Sequence, residues 1–384
     1  MMYWSSHVPA GPRARRLIAF FTLVAALLCM LPTPGVVRAE PVRLGMSAAF
    51  SGPSRGLGIE LYRGSMAYFR MLNDQGGLFG RPVEIAACDD RYEPEPAIRN
   101  TIRFIQNDSI LALFNYVGTP TTTRVLPLLK RYAGKHACLL FPFTGAQPLR
   151  EPPYGRWVFN LRASYFQETE ALVDRMVSLG RERISVFYQA DAYGRSGWAG
   201  VRKALAEHAL SLASEATYRR GAKFSDSMLR QVDIIKAANP EAVIAVGSYE
   251  ACAAFIRDAR DAGLDAPIAN LSFVGSENLL SLLQKLRTRT GRDYAARLLN
   301  TQVVPSYQNL QLPAVRQYRK LMQTYAPPPP PEAAQPGYEP LGFSFLSFEG
   351  FLNAKALAAV VRRFGRVPGR EEIQAAMESV GGLD

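Results

Sequence analysis

Two kinds of apolar pattern alternate along this chain: short runs rich in β-branched residues, and longer segments with an apolar residue at every third or fourth position. The short runs predict strands at Val42–Ala49, Val83–Asp89, Ile110–Tyr116, Ala137–Pro142, Ile184–Gln189, Ala242–Gly247 and Ile268–Phe273. Each is followed by a turn and a helical segment, so the predicted class is α/β, with mostly parallel sheets flanked by helices. In the first helix Ile59, Tyr62, Met66, Phe69 and Leu72 form one stripe, and Asn73-Asp74-Gln75-Gly76-Gly77 ends it, since glycine accepts a left-handed backbone. In a later helix over Glu250–Gly263, Ala253, Ala254, Phe255 and Ala259 face inward, which puts Arg257, Asp258, Arg260 and Asp261 on the wet side. Further helices are predicted at Pro313–Tyr325, Phe345–Arg363 and Glu371–Ser379.

Trp157–Arg162 joins the first set of βα units to a second, and Thr301–Pro305 reads as a return strand. Two such open sheets make two lobes, residues 40–162 plus 306–384 and residues 163–305. Ligands of such sheets bind beyond the carboxyl ends of the strands. Pro327–Pro331 must be extended and solvated, so it reads as a surface loop or polyproline spacer. Residues 1–39 read as an export signal: Arg13, Arg15 and Arg16 precede an apolar run from Leu17 to Leu31, and Val37-Arg38-Ala39 offers a cleavage site after Ala39. The run is shorter than the ~20 residues of a spanning helix, so cleavage and a periplasmic location are expected, by the Sec or the twin-arginine route.

Composition narrows the function. The 384 residues carry 45 Lys+Arg against 33 Asp+Glu, a formal charge of +12. Four of those arginines fall in the acid-free leader, leaving 12 − 4 = +8 spread without a dense basic run, which argues against nucleic acid. The four cysteines, at 29, 88, 138 and 252, form no CxxC pair, and His7, His136 and His208 stand alone, so no metal or other cofactor is expected. Cys252 reads as a small core residue. Gly194-Arg195-Ser196-Gly197 lacks the last glycine of a nucleophile elbow, Gly118-Thr119-Pro120-Thr121 lacks the ending of a phosphate loop, and Gly56-Leu57-Gly58 lacks a third glycine at dinucleotide spacing. An enzyme is therefore not expected. Asp89-Asp90 reads as a cap of the next helix.

The strand-end loops carry the candidate chemistry. Phe50-Ser51-Gly52-Pro53, Val117-Gly118-Thr119-Pro120-Thr121 and Pro142-Phe143-Thr144-Gly145-Ala146 would gather at one edge of the first lobe, with hydroxyls and glycine-exposed amides suited to a carboxylate. In the second lobe Tyr193 and Tyr249 each stand at the mouth of a strand, and Ser272-Phe273 makes a third such edge.

These loops, with Asn73-Asp74-Gln75-Gly76-Gly77-Leu78-Phe79-Gly80, Cys88-Asp89-Asp90, Asp191-Ala192-Tyr193-Gly194 and Ala259-Arg260-Asp261-Ala262-Gly263, are similar in order and spacing to those of a known family. Over residues 42–365 the chain resembles the periplasmic substrate-binding proteins of branched-chain amino acid type ABC transporters, the leucine/isoleucine/valine-binding family. The resemblance implies a two-lobed type I fold that closes on a small molecule and delivers it to a membrane permease; a sensor module of the same fold is the alternative. It implies ligand contacts at Ser51, Gly118, Thr119, Phe143, Thr144, Gly145, Tyr193, Tyr249 and Phe273, with Leu57 in place of a frequent aromatic wall. Amino-acid binders carry a glutamate for the α-ammonium near Ser272-Phe273-Val274, where this chain has no acid before Glu277. Desolvating an ammonium there would be uncompensated. The expected ligand is thus a small organic acid or amide without a free α-amine, aromatic or aliphatic, rather than an amino acid, with Arg162 or Glu250 as the alternative charge partner. The family's disulfide partner for Cys88 falls at Val117, which leaves Cys88 unpaired unless Cys138 substitutes. The family also continues past the equivalent of Asp384 into a third crossing and a final piece of the second lobe.

Overall fold

A computed structural model describes residues 39–333 and 337–379. The predicted export signal, Cys29 included, falls outside the described residues except for Ala39.

Among the described residues ten strands form two sheets, and every ladder is parallel. The first sheet contains β1 (Val42–Ala48), β2 (Val83–Asp89), β3 (Ile110–Phe114), β4 (Leu139–Leu140) and β5 (Val158–Phe159) in the order β2-β1-β3-β4-β5. The second contains β6 (Ile184–Gln189), β7 (Ser214–Tyr218), β8 (Ala242–Val246), β9 (Ile268–Asn270) and β10 (Leu298–Asn300) in the order β10-β9-β8-β6-β7. Every residue of β3 and β8 is buried, as expected of strands covered by helices on both faces. The covering helices of the first sheet are α1 (Arg55–Asp74), α2 (Pro94–Gln106) and α3 (Thr119–Arg131). Those of the second are α4 (Tyr165–Ser178), α5 (Ala192–Glu207), α6 (Leu229–Ala237), α7 (Tyr249–Asp261) and α8 (Ser276–Thr290). The chain then returns to the first sheet as α9 (Pro313–Tyr325), α10 (Phe345–Arg362) and α11 (Arg370–Ser379), whose Tyr318, Phe351 and Ile373 share a core with Leu44 and Phe69.

Several predicted elements are corrected. Thr301–Pro305 is not a strand: pairing with β9 covers only Leu298–Asn300, and the chain then leaves the sheet toward Pro305. Ala137–Pro142 shrinks to the two residues of β4, and Phe273 lies in a short 3-10 turn, Ser272–Val274, beyond the end of β9. In α7, Asp258 and Arg260 are buried rather than wet; Asp258 accepts from the Met228 amide (2.6 Å), and Arg260 donates to the carbonyls of Ala266 and Ala296. The proline run is only partly solvated. Pro327 and Pro330 are buried, and the Pro327 carbonyl accepts from Arg63 Nε (2.7 Å), which is paired with buried Glu60. Cys88, Cys138 and Cys252 are all free and buried, so Cys138 does not substitute as a disulfide partner for Cys88.

Candidate functional site

In each sheet the strand order reverses at one point, between β1 and β3 and between β6 and β8. Loops diverging from such a point open a crevice at the carboxyl edge. The loops after β1 and β3 carry Ser51 and Gly118-Thr119, and those after β6 and β8 carry Tyr193 and Tyr249. The two edges face each other: the Gly56 amide of α1 donates to the Tyr249 hydroxyl (3.2 Å), and Leu57 lies against Gly275, where an added Cβ would come within 2.9 Å of Leu57 Cδ2.

Between them sits a buried cluster of hydroxyls and rings. Thr119 at the first turn of α3 and Thr144 share a hydrogen bond (2.7 Å), and Thr119 also donates to the Tyr165 hydroxyl at the start of α4 (3.3 Å). Gly145 lets α4 approach, since a Cβ there would lie 2.8 Å from Tyr165 Cδ1. Tyr193 is held by Asp191, whose Oδ1 accepts from the Tyr193 amide (2.9 Å); its ring packs on Tyr165 (5.1 Å) and Phe273 (4.5 Å). The Tyr193 hydroxyl is fully buried without a hydrogen-bond partner, a costly arrangement that a bound polar group would relieve. Burial raises the pKa values of Tyr165 and Tyr193, so both enter as neutral O–H donors.

Gly118, Thr119, Phe143, Thr144, Gly145, Tyr193 and Phe273 therefore meet in one place, with Leu57 and Tyr249 at the adjoining contact. Two details differ from the expected geometry. The Gly118 amide is taken by the Phe143 carbonyl (3.2 Å), and the Ser51 hydroxyl is taken by Asp89. Asp89 and Asp90 do not cap α2, whose N-cap is Glu93. Asp89 accepts from the Phe50 and Arg91 amides, and Asp90 accepts from the Tyr92 amide and the Ser47 hydroxyl.

Tyr92, Tyr165, Arg162 and Glu168 also belong to the cluster and were not singled out as ligand contacts by loop chemistry. The Arg162 guanidinium stacks on Phe143 (4.2 Å) and donates to Ser272 Oγ. Glu168 and Glu349 stand 3.8 Å from its nitrogens, beyond hydrogen-bonding distance, and Nε and Nη1 have no hydrogen-bond partner. Burial alone would lower the Arg162 pKa, but the two carboxylates hold it above its ordinary value; burial raises that of Glu349. Glu168 also accepts from the Ser272 amide (2.8 Å), tying the start of α4 to the Phe273 turn. A cavity of about 430 Å³ behind this group is lined by both crossing segments, through Leu161, Arg162 and Val303, and by Glu349 and Leu352 of α10. Among the described residues no group of three or more His, Cys, Asp or Glu could hold a metal ion, and no helix is long and apolar enough to cross a membrane.

Residues 41–384 match the model of a family described as periplasmic binding protein. The chain belongs to this family. Among solved periplasmic binding proteins and their relatives, it is similar to a possible leucine/isoleucine/valine-binding protein from Rhodopirellula baltica SH 1, with 32% identity, a TM-score of 0.78 and coverage of 92% of this chain and 89% of that one. It shares its fold with a branched chain amino acid ABC transporter protein from Thermus thermophilus with bound valine (18% identity, TM-score 0.72, 90% of this chain and 84% of that one). An amino acid binding protein from Pseudomonas aeruginosa is 21% identical over 226 residues, and the match spans 59% of this chain and 59% of that relative. The family's periplasmic binding proteins are extracytoplasmic solute binders.

Proposed function

We propose that this periplasmic binding protein captures a small carboxylate-bearing solute between two lobes, residues 40–162 with 306–384 and residues 163–305, and delivers it to an ABC permease. The observation that carries the reading is the convergence of loops from both strand-order reversals on one buried hydroxyl cluster, beside the unpartnered Tyr193 hydroxyl. A carboxylate leaving water needs several donors. Thr119, Thr144, Tyr165 and Tyr193 supply hydroxyls, and the first turn of α3 adds a favourable dipole. The reading takes the ligand without a free α-amine, because Ser272–Val274 supplies no carboxylate and Glu168, which contacts Ser272, has Arg162 as its ion partner.

Thermal unfolding in the presence of phenylacetate, isovalerate, leucine and valine tests this. A ligand that binds only the folded state at a hundred times its Kd adds about 2.7 kcal/mol of stability. An amine-free acid should raise Tm, and Thr119→Val should abolish the shift. Stabilisation by leucine or valine with no response to the acids would overturn the reading.

A further inference from the structure

Four rings at the centre of the cleft narrow the class of carboxylate it accepts. Tyr92 and Phe143 come from strand-end loops of the first sheet, and on the second sheet's side Tyr193 comes from the first turn of α5 and Phe273 from the Ser272–Val274 turn. The Phe273 ring lies 4.5 Å from Tyr193, 5.1 Å from Phe143 and 6.1 Å from Tyr92, at inclinations of 50°, 30° and 31°. All four side chains are buried.

Tyr92 is placed there by an unusual backbone. Arg91 and Tyr92 both have left-handed φ values, 57° and 62°, a pair that L-residues adopt only where surroundings enforce it. The side chains of Asp89 and Asp90 enforce it by accepting the two amides, each at 2.9 Å. The ring then lies over Gly118, where a Cβ would come within 2.2 Å of Tyr92 Cε2, so the absent side chain at 118 is what lets Tyr92 reach the start of α3. Across the cleft its hydroxyl accepts from Gln189 Nε2 (3.4 Å).

We infer that the ligand is an aromatic carboxylate whose flat ring inserts between Tyr92 and Phe143 on one side and Phe273 and Tyr193 on the other, and that Tyr92 is a specificity-determining residue. This inference rests on the carboxylate reading above and adds the ring. A planar ring replaces ring-on-ring contacts of the closed cleft with contacts of the same kind. A saturated ring of the same carbon skeleton is thicker and lacks the charge distribution that favours offset stacking.

Calorimetric titration of the full chain with benzoate and phenylacetate, against cyclohexanecarboxylate and cyclohexylacetate, tests it. An aromatic acid should bind about tenfold or more tightly than its saturated partner, the size expected from two added ring contacts. Tyr92→Leu should reduce the ratio to about threefold or less, while Tyr92→Phe, which keeps the ring and loses the bond to Gln189, should preserve it. Should Tyr92→Leu fail to fold, Phe273→Leu makes the same comparison. Equal binding of aromatic and saturated acids overturns the inference and leaves the carboxylate reading standing. Benzyl alcohol binding where no acid does overturns the carboxylate reading, and the inference with it.

Discussion

Asp90 is enclosed completely, and burial, with the nearby charges of Asp89 and Glu93, pushes its carboxyl up to about 7 against the bonds from the Tyr92 amide and the Ser47 hydroxyl. The folded chain therefore keeps a proton on Asp90 at pH values where the unfolded chain has lost it. The stabilisation is full below the unfolded value of about 3.9 and is lost as pH rises through about 7. Asparagine can accept from Tyr92 and still meet Ser47, so Asp90→Asn should remove this dependence. Urea unfolding at pH 5 and pH 8 should show the wild type losing about 2 kcal/mol relative to the variant; parallel pH profiles would contradict the account. Asp90 also shows why Tyr92 was not legible in the sequence. An acidic pair after a strand reads as a helix cap, and only the three-dimensional partners, Phe50, Ser47 and the Arg91 and Tyr92 amides, reveal that it holds a left-handed turn. Thr119, Thr144 and Tyr193 were legible because their loops follow strands directly. Arg162 was noted only as an alternative charge partner, and Tyr165 and Glu168 lie in the first turn of α4, whose capping box at Ser164 marks a helix start rather than a ligand contact.

At the scale of elements, α1 and α10 pack backbone to backbone. Gly64 lies so close to α10 that a Cβ would fall 1.7 Å from the Ser347 carbonyl oxygen, and one on Gly350 would fall 2.1 Å from that of Leu61. The contact is fixed by a buried polar chain in which Asn353 donates to Asn115 (2.8 Å), Asn115 to Ser65 (2.9 Å) and Ser65 to the Leu61 carbonyl (2.9 Å). In an exposed helix Gly→Ala would stabilise by up to about 1 kcal/mol. Here overpacking reverses the sign, and Gly64→Ala or Gly350→Ala should each cost about 3 kcal/mol, measured by chemical denaturation; a rise in stability would contradict the geometry. The apolar runs of β3, β6 and β8 were readable, because strands buried on both faces need them. The two-residue strand β4 reads in the sequence as the longer Ala137–Pro142, and β5 only as part of the joining segment Trp157–Arg162, since neighbouring strands set their pairing. The strand β7 was not readable, since its Glu215 and Thr217 face water and break the apolar run.

At the scale of the whole molecule, the cleft is closed at its rim as well as at its centre. Arg220, after β7, reaches Glu93 of the first sheet's loops (2.6 Å) and Asp191 of the second's (3.1 Å), and Tyr338 bridges Glu60 of α1 (2.9 Å) and Asn278 of α8 (3.1 Å). The proposed capture requires such contacts to part and the two sheets to move as bodies about the crossing segments. Single-molecule energy transfer between dyes on Arg99→Cys in α2 and Asp233→Cys in α6 reads that motion directly, because both sites are exposed and the described native cysteines are buried. Saturation with the acid that raises Tm most should narrow the distances to a single closed population. An acid that binds yet leaves the distribution unchanged would contradict capture between two closing lobes.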